Sequence, residues 1–115
     1  MENLLLDQSF NLKVSDLGFS TEMKGNTGTS LLYTCKGTPG YMAPELFTSK
    51  GYNGELSDVF ALGVVLFALV MGRPPFRIAN LQDELYRRIA SNQFEEFWQF
   101  WDSYASRYGL SLIHI

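Results

Sequence analysis

The residues of this sequence able to do chemistry concentrate between Asp16 and Glu45. Asp16-Leu17-Gly18 follows an alternating apolar stretch, so its carboxylate falls at the end of a strand, where it can hold a divalent cation against phosphate oxygens. Gly18 then lets the chain turn away. From Phe19 to Lys36 the composition shifts to Ser, Thr, Gly, Lys and Asn, with Gly25-Asn26-Thr27-Gly28 at its centre. Such a stretch buries little apolar area, and a mobile loop is expected until something orders it. Ser30, Tyr33 and Thr34 bring hydroxyls to its end, and Cys35 beside them is either a redox-sensitive thiol or an inert one. Gly37-Thr38-Pro39-Gly40-Tyr41-Met42-Ala43-Pro44-Glu45 closes the stretch, its prolines fixing where the loop re-enters the globule. Together these features describe a regulated substrate platform.

Periodicity shows which elements must position these groups. Met1 to Asp7 reads as a buried apolar strand and Phe10 to Asp16 alternates as a second, with Asp7-Gln8-Ser9 as a short turn; the far end of this hairpin presents Asp16. Phe47 to Gly54 is a turn-rich linker with a reversal at Gly51-Tyr52-Asn53-Gly54. Glu55-Leu56-Ser57-Asp58 opens a helix from about residue 56 to residue 71, with Ser57 or Asp58 near its N-terminus. Apolar residues on nearly every face from Val59 to Met71 predict a helix surrounded by protein. The run is too short for a confident membrane span and is interrupted by Gly63. Gly72-Arg73-Pro74-Pro75 stops it. Asp83 to Ala90 predicts a short amphipathic helix with Leu85, Tyr86 and Ile89 on one side. From Gln93 to Tyr108, the residues Phe94, Phe97, Trp98, Trp101, Tyr104 and Tyr108 recur at helical spacing, as core or docking-surface packing would require. The acidic Glu95, Glu96 and Asp102 argue against an interfacial membrane helix, which wants a basic polar face.

The order and spacing of Asp16-Leu17-Gly18, Gly37 to Met42 and Ala43-Pro44-Glu45 resemble the activation segment of protein kinases, from a DFG-type to an APE-type motif. Glu2-Asn3 before it and Asp58-Val59-Phe60-Ala61-Leu62-Gly63 after it fit the same pattern, so the resemblance covers Glu2 to about Ala90. It implies an α+β fold: a fragment of the large, C-terminal kinase lobe, mainly α-helical with a short N-terminal β-hairpin, spanning residues 1–109. It implies ATP and Mg²⁺, protein substrates with Ser or Thr acceptors, and an upstream activating kinase. Asn3 matches the Asn that ends the catalytic loop and Asp16 the metal-binding Asp, so the pair would hold Mg²⁺ on the nucleotide phosphates. On the residues alone, Asn3 also reads as a cap or turn residue and Asp16 as a turn former. Leu17 stands where the family commonly has Phe, which keeps an apolar side chain that packing could use.

The same resemblance assigns the remaining positions. Gly18, Glu45 and Asp58 are structural: Glu45 matches the Glu of a buried ion pair, and Asp58 an Asp that anchors the catalytic-loop backbone. The Arg partner of Glu45 lies outside this sequence, and a buried ionised carboxylate without it would cost several kcal/mol. Thr38 matches the threonine that positions the catalytic base beside a Ser or Thr acceptor, and Thr34 the regulatory phosphosite. The base Asp, the nucleotide-covering Gly-rich loop and the small-lobe Lys with its Glu lie outside the sequence. Pro74-Pro75-Phe76 and the phrase from Tyr86 to Trp98 are similar to kinases of the calcium/calmodulin-dependent and AMP-activated groups. The alternative reading of the same pattern is a kinase-like, non-catalytic scaffold that binds a protein partner.

Composition bounds these readings. The 115 residues, 46% of them hydrophobic, suffice for one modest core. A net charge of −3 and a pI near 5.0 exclude the basic surface of a nucleic-acid binder. One cysteine cannot form an internal disulfide, and no charged-then-apolar leader opens the sequence, so a cytoplasmic protein that leaves membranes alone is expected. Leu110-Ser111-Leu112-Ile113-His114-Ile115 is similar to the translation of a transposon end used in sequencing-library preparation. Residues 110–115 are therefore expected to be a non-native tail, and His114 receives no catalytic or metal role.

Overall fold

The computed structural model describes residues 2–22 and 31–109, so the Gly25–Gly28 centre of the polar loop, Ser30 and the 110–115 tail lie outside the described residues. The chain divides into two compact units, Met1–Ser30 and Leu31–Ile115.

The first unit is built on a β-hairpin. Strand β1, Leu4–Leu6, pairs antiparallel with β2, Leu12–Val14, in the register Leu4 to Val14, Leu5 to Lys13 and Leu6 to Leu12. Asp7 organises the turn. Its Oδ1 accepts the backbone N–H groups of Ser9 at 2.9 Å and Asn11 at 2.8 Å, and its Oδ2 accepts the Asn11 side-chain amide at 3.0 Å. Phe10 takes a φ of 62°, a left-handed conformation incompatible with a strand, so the turn extends through Asn11 instead of ending at Ser9 as expected. Nor is β1 buried: Leu5 and Leu6 are exposed, because a two-stranded ribbon has no second layer of its own to cover them.

The hydrogen bonds to Asp7, led by the Asn11 backbone N–H, lower its pKa below the ordinary 3.8. A carboxylate with a depressed folded pKa stabilises the hairpin fully above the ordinary value, and that contribution is lost as the pH falls through the folded value. Amide exchange in β1 and β2 is therefore expected to be faster in an Asp7→Ala variant than in the native chain at neutral pH. In the native chain, acidification below the ordinary carboxylate range should erase the difference between the two.

In the second unit, β3, Leu31–Leu32, pairs antiparallel with β4, Tyr52–Asn53. Two 3₁₀ turns, Pro39–Tyr41 and Pro44–Phe47, lie between them, each begun by its proline. Helix α1, Gly54–Met71, starts earlier than expected. Asn53, not Ser57 or Asp58, is its cap: the side chain accepts the Leu56 N–H at 3.1 Å from an extended backbone. Gly72 ends the helix in the left-handed conformation, φ 72°, as its position before two prolines predicts.

Helix α1 is not surrounded by protein. Val64, Ala68 and Met71 are buried on one face, whereas Leu56, Val59, Leu62, Leu66 and Leu69 form an exposed apolar stripe. The all-round hydrophobic pattern records two faces able to be buried, and the described residues supply a layer for only one. At 18 residues and mean hydropathy 1.9, α1 extends beyond the Val59–Met71 run and has the length and composition to cross a membrane. Its packed face is that of a core helix.

Helix α2, Glu84–Ala90, is capped by Asp83, which accepts the Tyr86 N–H at 3.0 Å and the Arg77 N–H at 2.9 Å. Arg88 pairs with Glu84 and donates to the Glu96 carbonyl at 3.0 Å, joining α2 to α3, Phe94–Arg107. The aromatic stripe of α3 is core only at Phe97, Trp101 and Tyr104, whereas Phe94 and Tyr108 are exposed. Phe97 and Trp101, 4% and 3% exposed, pack with Met71 and Ala105, and Phe67, Leu85, Ile89 and Tyr104 close around them. The Phe67 and Trp101 rings meet edge to face at 4.9 Å. Trp98, one position round the helix, stays 49% exposed.

Candidate active-site elements

Hairpin pairing brings Asn3 to the doorstep of Asp16. The Ser15 backbone N–H donates to the Asn3 carbonyl at 2.9 Å and the Ser15 hydroxyl to the same oxygen at 3.3 Å, so the residue next to Asp16 is tied to Asn3. Asp16 is held at φ 62°, where few residues other than glycine rest, and its Oδ1 accepts the Gly18 N–H at 3.1 Å. This local bond offsets part of the backbone cost and aims the carboxylate back over the turn. A Cβ on Gly18 would stand 3.0 Å from that oxygen, so glycine keeps the bend open. Leu17 is exposed, and the apolar packing expected of it is not made among the described residues.

No group of three or more His, Cys, Asp or Glu side chains gathers among the described residues. One carboxylate and one amide suit Mg²⁺, which keeps its waters and binds through few protein oxygens plus substrate phosphates, and do not suit a cation needing an all-protein cage.

In the second unit Gly37, at φ 131°, turns the chain into the first 3₁₀ turn, and the Thr38 carbonyl accepts the Tyr41 N–H at 3.0 Å. The Thr38 side chain is exposed and makes no capping bond, so its hydroxyl is available at the surface. Beneath it Met42, Ala43 and Leu46 are buried together, with Tyr52 and Phe60 packed against them. This cluster fixes the Gly37–Glu45 run on α1. Thr48 donates its N–H and hydroxyl to the Glu45 carbonyl at 3.2 and 2.7 Å, closing the second turn.

The protein kinase domain family matches residues 1–114. The chain belongs to the protein kinase family. It is 48% identical over 93 residues to CBL-interacting protein kinase 15 of Oryza sativa subsp. japonica, covering 81% of this chain and 21% of that one. It is 50% identical over 93 residues to CBL-interacting protein kinase 11 of the same plant, covering 81% and 18%. With CBL-interacting serine/threonine-protein kinase 10 of Arabidopsis thaliana it shares 48% over 94 residues, covering 82% and 19%. The kinase chain thus spans about a fifth of the length of these relatives.

Other positions expected of a kinase are less enclosed than the sequence implied. Glu45 is only half-buried, so it does not bear the cost of a fully buried, unpartnered carboxylate, and it makes no ion pair among the described residues. Burial and then the charge of Glu45 push the Tyr86 hydroxyl pKa up. Asp58 is exposed on α1 and anchors no backbone group among the described residues. Thr34 is exposed too, but its carbonyl accepts the Tyr52 hydroxyl at 2.8 Å. Burial, followed by electrostatic repulsion from the Cys35 and Asp58 side chains, raises the Tyr52 pKa. Cys35 itself is a free, exposed thiol.

Tyr52 escaped the sequence reading, in which Gly51-Tyr52-Asn53-Gly54 counted only as a reversal. The available signal was an aromatic residue between two turn formers, just before a helix, which a plain reversal does not need. A concavity of about 490 Å³ lined by Arg77, Asn80, Asp83, Arg88 and Phe100 contains none of the assigned site residues.

Proposed function

We propose that this chain is the middle of the large lobe of a serine/threonine kinase that transfers the γ-phosphoryl group of ATP to protein Ser and Thr hydroxyls. In that transfer the bond from the γ-phosphorus to its bridging oxygen breaks, a bond to the substrate oxygen forms, and the hydroxyl proton leaves to a base outside this chain. Asn3 and Asp16 are the residues that would hold Mg²⁺, which neutralises charge on the phosphates. Thr38 orients the acceptor end, and Thr34, exposed beside it in sequence, is the regulatory phosphosite for an upstream kinase. Gly18, Glu45 and Asp58 shape the segment and do not touch the reacting atoms. The full-length protein is assigned to the cytoplasm, where ATP and these substrates meet.

The observation that supports this reading is the bonding of Ser15 to the Asn3 carbonyl, which ties the main chain at Asn3 to the residue preceding Asp16, itself held in a left-handed turn. The relatives named serine/threonine-protein kinases support the acceptor class. The test is transfer from γ-labelled ATP by the full-length gene product to matched Ser, Thr and Tyr peptides. Mg²⁺-dependent labelling of Ser and Thr but not Tyr is expected. Absence of transfer to any of the peptides would leave a non-catalytic scaffold in its place.

A further inference from the structure

We propose that Gly51-Tyr52-Asn53 is the dock that fixes the Thr34 end of the activation segment, with Tyr52 as a positioning residue for phosphoryl transfer. Three independent contacts converge there. Leu31 and Leu32 pair in antiparallel register with Asn53 and Tyr52. The Tyr52 hydroxyl donates to the Thr34 carbonyl at 2.8 Å, closing a bond across a sequence separation of 18. A Cβ on Gly51 would lie 2.8 Å from Cε1 and 2.9 Å from Cζ of Tyr33, and 3.0 Å from Cβ of Leu31, so a side chain there must displace the Tyr33 ring. Tyr33 therefore lies on Gly51, and the aromatic ring substitutes for the missing side chain.

The same tripeptide faces inward as well. The Tyr52 ring packs against Met42, Ala43 and Leu46, which support the run carrying Thr38, and Asn53 caps α1. A displacement at Thr34 thus reaches the Thr38 shelf through a single half-buried ring. Because the dock grips the main chain of Thr34 and leaves its side chain exposed, the segment is held before any phosphate is added, and the hydroxyl faces the modifying enzyme.

This inference rests on the kinase reading for its catalytic consequence, but not for its structural one. In the full-length protein, Tyr52→Phe keeps the ring and removes only the hydroxyl. Amide exchange over residues 33–36 is expected to quicken by about 2- to 10-fold, the loss of one ordinary hydrogen bond, while exchange in α3 stays unchanged. The KM for a protein or peptide acceptor is expected to rise by a similar factor, with the KM for ATP unaltered. Gly51→Ala, which must displace Tyr33, should reproduce both effects. Unchanged exchange in both variants would overturn the dock, and faster exchange with an unchanged acceptor KM would overturn the positioning role. If no form of the protein transfers phosphate, the kinase reading fails, and the exchange comparison still decides the dock.

Discussion

Asp16→Asn in the full-length protein is expected to lower phosphoryl transfer by at least about 100-fold, with little change in the melting temperature. The substitution is nearly isosteric. An Asn Oδ1 can still accept the Gly18 N–H, and Asn tolerates the left-handed φ of 62° at least as well as Asp, so the turn survives. What disappears is one negative charge at the place proposed to fix a cation against phosphate oxygens. In phosphoryl transfer nearly all catalysis is positioning and charge neutralisation, and deleting one preorganised electrostatic contact commonly costs about 10²- to 10³-fold. The loss should appear in kcat with the acceptor KM little changed, because the role proposed for Asp16 is on the nucleotide and not on the acceptor. Asn3→Ala, which removes a neutral ligand, should lose less. Steady-state kinetics at several Mg²⁺ concentrations check both; an Asp16→Asn protein within a few-fold of native activity would remove Asp16 from the metal site.

The parts of this chain legible in its sequence are those governed by local chemistry. Gly72 before Pro74 and Pro75 ends α1 where expected, and the spacing of Phe97, Trp101 and Tyr104 on α3 gave a core stripe that the packing contains. Helix and hairpin existence were legible for the same reason. The misses come from competition between neighbours. Asn53 outcompetes Ser57 and Asp58 as cap because its extended backbone lies directly before the first helical residue, whereas the other two are already inside the helix. Asp7 captures Asn11 through two hydrogen bonds, beside a third from the Ser9 N–H, and so lengthens a turn that propensity ended at Ser9. Burial was the least legible property. The apolar faces of β1 and of α1 at Leu56, Val59 and Leu62 record what each element is suited to cover, not what these residues cover. The Tyr52 to Thr34 bond is long-range, and no local pattern encodes it.

Trp101→Ala is expected to destabilise the second unit by about 3–5 kcal/mol, the usual cost of emptying a large aromatic site in a core. The ring is 3% exposed and touches Phe67, Phe97, Phe100 and Tyr104 at centroid distances from 4.9 to 6.5 Å, so no single neighbour can fill the hole. Trp101→Phe should behave differently. The indole Nε1–H is buried with no acceptor among the described residues, a penalty of about 1–3 kcal/mol that phenylalanine does not bear. Relief of that penalty opposes the area lost on shrinking the ring, so the net change should be within about 1.5 kcal/mol of zero. Trp98→Ala, on the half-exposed side of the same helix, removes a ring of identical size and should cost less than half as much as Trp101→Ala. Urea unfolding of the three variants followed by circular dichroism separates them. Equal losses at Trp98 and Trp101 would mean that α3 presents a different face to α1, and the core of Met71, Phe97, Trp101 and Ala105 would have to be redrawn.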